Sequence, residues 1–202
     1  MEPFKTLSAT AVAMDHSNID TDRIVPARFL HNPRSAGYGK FLFHDVRFDG
    51  EGREIADFVL NQELTRDARI LVAAENFGCG SSREAAVWAL AGYGIRTVIA
   101  SSFGDIFFEN SFKNGLLTVI LPEAELARLR EAVHARPGAK VAVDLVGQTV
   151  TGPDGVDYRF DIDPFKKECL LSGQDEIGLT LAREADIVAF EQRQRIEMPW
   201  LY

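Results

Sequence analysis

The chain has 202 residues, 46% of them hydrophobic, and 30 acidic side chains against 22 Lys and Arg leave a formal charge of −8. That is enough apolar residue for a sizeable core in one domain, while the acidic balance argues against nucleic-acid or anionic-membrane partners, which require a basic face. No basic region followed by a long apolar run opens the chain and no stretch nears the roughly 20 apolar residues that span a bilayer, so the cytoplasm is the expected compartment.

The first ten or so residues read as a strand, and Ser35–Gly39, with its two glycines, reads as a mobile loop. Arg69–Ala74 is short and continuously apolar, as a buried strand is, and Ser82–Ala91 has helix-forming composition. Arg96–Ala100 forms a second strand, Asp105–Lys113 a short helix and Leu116–Leu121 a third strand. This β-α-β-α-β order predicts an α/β fold with a parallel sheet, right-handed crossovers and ligand sites outside the carboxyl ends of the strands. Pro122–Arg136 is an exposed amphipathic helix whose charges are a solvated face. Val141–Val150 and Tyr158–Ile162 flank Gly152-Pro153-Asp154-Gly155 and should pair as an added β-hairpin. A helix should follow Pro164, and the tail from Glu184 is helical in composition. Pro199-Trp200-Leu201-Tyr202 reads as a disordered end in preference to a docking element. No repeat or linker divides the chain, so residues 1–202 are read as a single domain.

The most informative run is Asn76-Phe77-Gly78-Cys79-Gly80-Ser81-Ser82-Arg83-Glu84, where the first strand gives way to a helix through two glycines, paired hydroxyls and an arginine. Glycine allows backbone angles and close approaches that a side chain forbids, and the helix start offers unpaired N–H groups with partial positive charge, a seat for a carboxylate or phosphate. No Lys-Ser or Lys-Thr follows, which excludes a Walker loop, and Arg83 stands where a dinucleotide fingerprint has its third glycine. The run is not a Gly-x-Ser-x-Gly elbow either. A helix N-cap would by itself explain Ser81, but not Ser-Ser-Arg together, because an arginine in a first helical turn opposes the helix dipole.

Cys79 and Cys169 are the only cysteines, far apart and without C-x-x-C spacing, so this chain cannot supply the thiolates of an iron–sulfur cluster. Packing is the expected role of both. His16, His31, His44 and His134 show no metal-ligand spacing, and no metal site is expected. Trp88 reads as a core residue.

Several blocks in the same order resemble one family. Asn18–Leu30, which contains Asp20-Thr21-Asp22-Arg23, Asp57–Asn61, Asn76–Glu84, Ser102–Phe107, Asn110–Leu117 and Ile177–Leu181 are together similar to the small subunit of 3-isopropylmalate dehydratase, and more distantly to the swivelling domain of aconitase. The resemblance covers nearly the whole chain and implies an aconitase-type swivelling β/β/α domain. It also implies a heteromeric hydro-lyase that isomerises 2-isopropylmalate and 3-isopropylmalate through 2-isopropylmaleate, with a [4Fe–4S] cluster carried by a separate large subunit. Ser81 would be the catalytic base and Arg83 a carboxylate clamp, with Gly80 and Ser82 supporting the alkoxide. Asp20, Thr21, Asp22 and Arg23 form a partner-facing loop that the resemblance places near the dicarboxylate substrate, although an Asx-type turn with solvated charges explains it nearly as well. His31 falls in the substrate-selecting loop of residues 29–38, and Lys113 is a further cation that a helix C-terminus alone would also explain. The family usually has histidine where this chain has Ala85, and proline where it has Thr118. The first difference keeps open a paralogue acting on citraconate or another short branched dicarboxylate, or a catalytically silent partner. The glycine-rich turn by itself also fits a free-standing anion-binding protein.

Overall fold

The computed structural model describes residues 1–201. Its centre is a seven-stranded sheet in the order β4-β3-β2-β1-β5-β6-β7. Strand β1 (Thr6–Ala13) is the junction: Thr6–Thr10 pair antiparallel with β5 (Lys140–Asp144), and Ala11–Ala13 pair parallel with β2 (Ile70–Val72). Helix α1 (Thr21–Ile24) and α2 (His44–Arg47) lie in the irregular segment between β1 and β2. Then β2, α3 (Glu84–Tyr93), β3 (Thr97–Ala100), α4 (Asp105–Lys113) and β4 (Leu117–Ile120) alternate, with β2, β3 and β4 parallel. This is the β-α-β-α-β core expected from the sequence, extended by β1. Because β4 is an edge strand, proline at position 118 and threonine there are both tolerated.

Strands β2 and β3 are buried along their whole length because each faces a core on both sides. Along β2, Ile70 and Val72 enter one cluster with Val119, Leu126 and Val143, whereas Leu71 and Ala73 enter another with Phe43, Phe77 and Leu90. Helix α3 and the segment between β1 and β2 cover the second face; α5 (Glu123–Ala135) and α6 (Pro164–Ser172) cover the first. Helix α6 starts where Asp163 accepts from the amides of Phe165 and Lys166 and Pro164 takes the first turn. The chain continues through α7 (Glu176–Leu181) and α8 (Glu184–Glu197).

Three expectations change. The single strand expected over Val141–Val150 is broken after Asp144: Gly147 and Gln148, the latter at φ 53°, turn the chain into β6 (Thr149–Thr151), which pairs with β7 (Asp157–Arg159). The result is a three-stranded antiparallel meander. The Ser35–Gly39 loop is divided, since Ser35 and Gly37 face solvent but Tyr38 and Gly39 are buried on α3. There the backbones cross so closely that a Cβ on Gly39 would come within 2.4 Å of the Gly92 carbonyl carbon. Finally, Pro199–Leu201 forms a 3-10 turn with Trp200 exposed, where a disordered end was expected; Tyr202 lies outside the described residues.

Candidate active site

Parallel strands bring their carboxyl ends together, and the loops leaving β1, β2 and β3 meet there. The turn after β2 is held from both sides. Toward β3, Phe77 N–H donates to the Ser102 carbonyl (3.1 Å) and Gly104 N–H to that of Phe77 (2.9 Å). Toward β1, Gly78 N–H donates to the Ile19 carbonyl (2.7 Å) and Thr21 N–H to that of Cys79 (2.9 Å). Asn76 adds side-chain ties, its amide N–H donating to Ser102 Oγ (2.8 Å) and its Nδ2 to Asn18 Oδ1 (2.7 Å). Gly78 is at φ 74°, and a Cβ there would lie 2.3 Å from the Phe107 ring, so no other residue fits.

Beyond this clamp Gly80, at φ 89°, aims Ser81 and Ser82 outward. Both serines are exposed, and neither hydroxyl has a partner among the described residues. Helix α3 begins at Glu84 with Arg83 as N-cap and no side-chain cap, so Ser81 is not a helix cap and Arg83 is not in the first turn. The amides of Gly80, Ser81 and Ser82 likewise have no backbone acceptor, and Gly78–Ser81 and Gly104–Ile106 bound a depression of about 250 Å³. The turn thus presents a hydroxyl beside unpaired N–H groups at a helix start, where negative charge is favoured.

The loop after β1 supports this turn. Thr21 is buried, and its Oγ donates to the Ser81 carbonyl (2.9 Å), so it holds the serine in place and does not face a ligand. Asp20 caps α1 by accepting from Arg23 N–H (2.7 Å). Asp22 grips Arg83 with both carboxylate oxygens, Nη2 to Oδ2 being 2.7 Å, so an acid occupies the fork that a substrate carboxylate would take. The guanidinium holds the Asp22 carboxyl below its ordinary range. Arg23 and His31 are both exposed, and neither side chain has a hydrogen-bond or ion-pair partner among the described residues.

Lys113 pairs with Glu176 on α7 (3.3 Å). Its neighbour Asn114 bridges Glu84 (2.8 Å) and Arg34 (3.1 Å), whose guanidinium lies 5.1 Å over the Trp88 ring. Sequence reasoning does not single out Arg34 or Asn114. Nothing local marks them, because the contact joins residues 80 apart in the chain.

The thiols do not form a metal centre. Cys79 lies in the turn and Cys169 is buried in α6, and burial pushes both above the ordinary thiol range, with Asp20 adding to the effect at Cys79. Among the described residues no three His, Cys, Asp or Glu side chains converge as metal ligands, so a cluster does not fit the donors of this chain. No helix among them is long and apolar enough to cross a membrane.

Comparison with known proteins gives a consistent result. A family model described as Aconitase C-terminal domain matches residues 1–124, one described as LeuD_N matches 127–164, and one for the C-terminal domain of the 3-isopropylmalate dehydratase small subunit matches 176–202. Proteins named 3-isopropylmalate dehydratase small subunit from Paramagnetospirillum magneticum and Leptospira interrogans are 50% and 51% identical, covering 100% of this chain and 100% and 99% of theirs. The crystal structure of 3-isopropylmalate dehydratase from Methanocaldococcus jannaschii superposes with a TM-score of 0.66 at 24% identity, covering 91% of this chain and 98% of that one, a likeness of fold. On the full-length identity and the order of the matched models, the chain belongs to the family of 3-isopropylmalate dehydratase small subunits.

Proposed function

We propose that this chain is the small subunit of a two-chain hydro-lyase of leucine biosynthesis, isomerising 2-isopropylmalate and 3-isopropylmalate through 2-isopropylmaleate in the cytoplasm. The observation that carries the reading is the exposed Ser81 hydroxyl, fixed by a doubly clamped turn one residue from the Ser82-Arg83 pair. Its substrate is a dicarboxylate and its partner a large subunit. The group expected there is a [4Fe–4S] cluster, a Lewis acid for the departing hydroxide.

The task of this chain is the C–H proton. Ser81, deprotonated, abstracts it from the carbon beside a substrate carboxylate, and in the return direction gives it back. A serine alkoxide is costly in water. The unpaired N–H groups of Gly80–Ser82, the start of α3 and the Arg83 charge lower that cost. Arg83 holds a substrate carboxylate in the fork that Asp22 fills here, and Asp22, half exposed, yields it. Arg23, exposed on the neighbouring helix, is the second candidate cation.

The test is hydration of 2-isopropylmaleate, followed by loss of ultraviolet absorbance, with the chain and its cognate large subunit mixed anaerobically. Turnover that requires both chains is the expected result. Preference for citraconate would overturn the substrate assignment and point to Ala85. Turnover that survives Ser81→Ala would overturn the catalytic assignment and leave a silent partner.

A further inference from the structure

We infer that the groove between α6, α7 and α8, with the aromatic turn that follows, is the surface on which the large subunit docks. The inference rests on the two-chain reading above. Helix α8 has 14 residues and buries none of them. A helix of that length is marginal in water by itself and takes its stability from packing an apolar face. Among the described residues its only apolar neighbours are those of the groove, which leave Ile187 and Phe190 exposed, whereas α7 is anchored through Leu179, partly buried against the core, and Glu176 on Lys113.

The apolar residues left uncovered concentrate in the same stretch of chain, and Ile187 and Phe190 among them line the groove. Among the described residues, nine of the eighteen large hydrophobic side chains that face solvent fall between Ile177 and Leu201. They include Phe190 at 52%, Ile196 at 82% and Trp200 at 74% exposure. Phe165, Leu179, Ile187 and Phe190 line a cavity of about 970 Å³ together with Glu168 and Arg183. A stable interface buries roughly 800 Å² on each partner, and nine uncovered large hydrophobic side chains, two of them aromatic, are the kind of surface that such an interface covers. Aromatic anchors in an apolar groove edged by charge are the usual composition of an interface centre and rim.

Position selects the occupant. Glu176, the first residue of α7, pairs with Lys113, and the next residue, Asn114, bonds Glu84 beside Arg83. The groove therefore adjoins the elements that carry the Ser81 turn, and a body seated there extends to the site that it has to complete. A second copy of this chain would bring no group that the serine turn lacks. The family model matched at residues 176–202 isolates the same segment.

The test measures affinity of the full-length chain for the cluster-loaded large subunit, for wild type, the double variant Phe190→Glu with Trp200→Glu, and Val156→Glu as an exposed control on the turn between β6 and β7. The expected result is about 30-fold or greater weakening for the double variant, an unchanged control, unchanged melting of the isolated chain, and amide protection of α8 that appears only on mixing. Unchanged affinity with α8 still unprotected overturns the inference. So does loss of a self-associated form with the heteromer intact, which would make the occupant a second copy. If the wild-type pair binds but does not hydrate isopropylmaleate, the substrate reading fails while docking stands; wild-type chains that do not bind overturn both.

Discussion

Two residues decide whether the loop after β2 is a site or only a turn. Ser81 has no structural hydrogen bond to lose from its hydroxyl, so Ser81→Ala should leave the melting temperature unchanged and lower turnover of the reconstituted enzyme by ~10²–10⁴-fold, the range for a lost proton-transfer group. Arg83→Lys keeps the charge and loses the fork; KM for the dicarboxylate should rise more than kcat falls, read from steady-state kinetics. Asp22 gives a pH signature. Its folded pKa is depressed by Arg83, so its contribution to stability is present above the unfolded value near 3.8 and is lost as pH falls through the lower folded value. The difference in melting temperature between wild type and Asp22→Asn should therefore shrink between pH 6 and pH 3, and at neutral pH it should correspond to no more than about 1 kcal/mol for so exposed a pair. The sequence made Ser81 and Arg83 visible through the hydroxyls and cation crowded beside glycines. It did not show that Thr21 faces inward or that Asp22 fills the arginine fork, because those contacts cross some 60 residues of chain.

Among the strands and helices, the parallel core was legible because each strand is a short apolar run between helix-forming segments, and the α4 boundaries agree with the reading of Asp105–Lys113. The meander was less so. Val141–Val150 contains valines on both sides of the break, and only Gly147 and the left-handed Gln148 mark it. The Ser35–Gly39 segment shows why glycine counts alone mislead: Gly37 faces open space, but Gly39 is required by the approach of Gly92. Gly39→Ala should lower stability by about 3 kcal/mol or more, since backbone atoms of a helix cannot move aside as a side chain does. Amide exchange should be fast at Ser35 and slow at Phe41 to Phe43, where the Phe43 amide donates to the Ile24 carbonyl.

Across the full chain, the two hydrophobic clusters share the sheet, and alternate residues of β2 enter one or the other. Leu71→Ala and Ile70→Ala remove equal bulk from opposite faces. Each should cost ~2–5 kcal/mol and shift one common urea transition, followed by far-ultraviolet circular dichroism and by tryptophan fluorescence, without splitting it. Separate transitions would show that the faces unfold independently.

Local periodicity and residue types adjacent in the chain are enough to set the alternation of strands and helices, the parallel core and the glycine-rich turn that carries Ser81 and Arg83. What touches the turn is a matter of three-dimensional packing. Thr21 under Ser81, Asp22 on Arg83, the Arg34–Asn114–Glu84 chain and the uncovered face of α8 are all settled by which carboxyl ends and helix faces the sheet brings together. Those distances are short in space and long in sequence, and no local pattern encodes them.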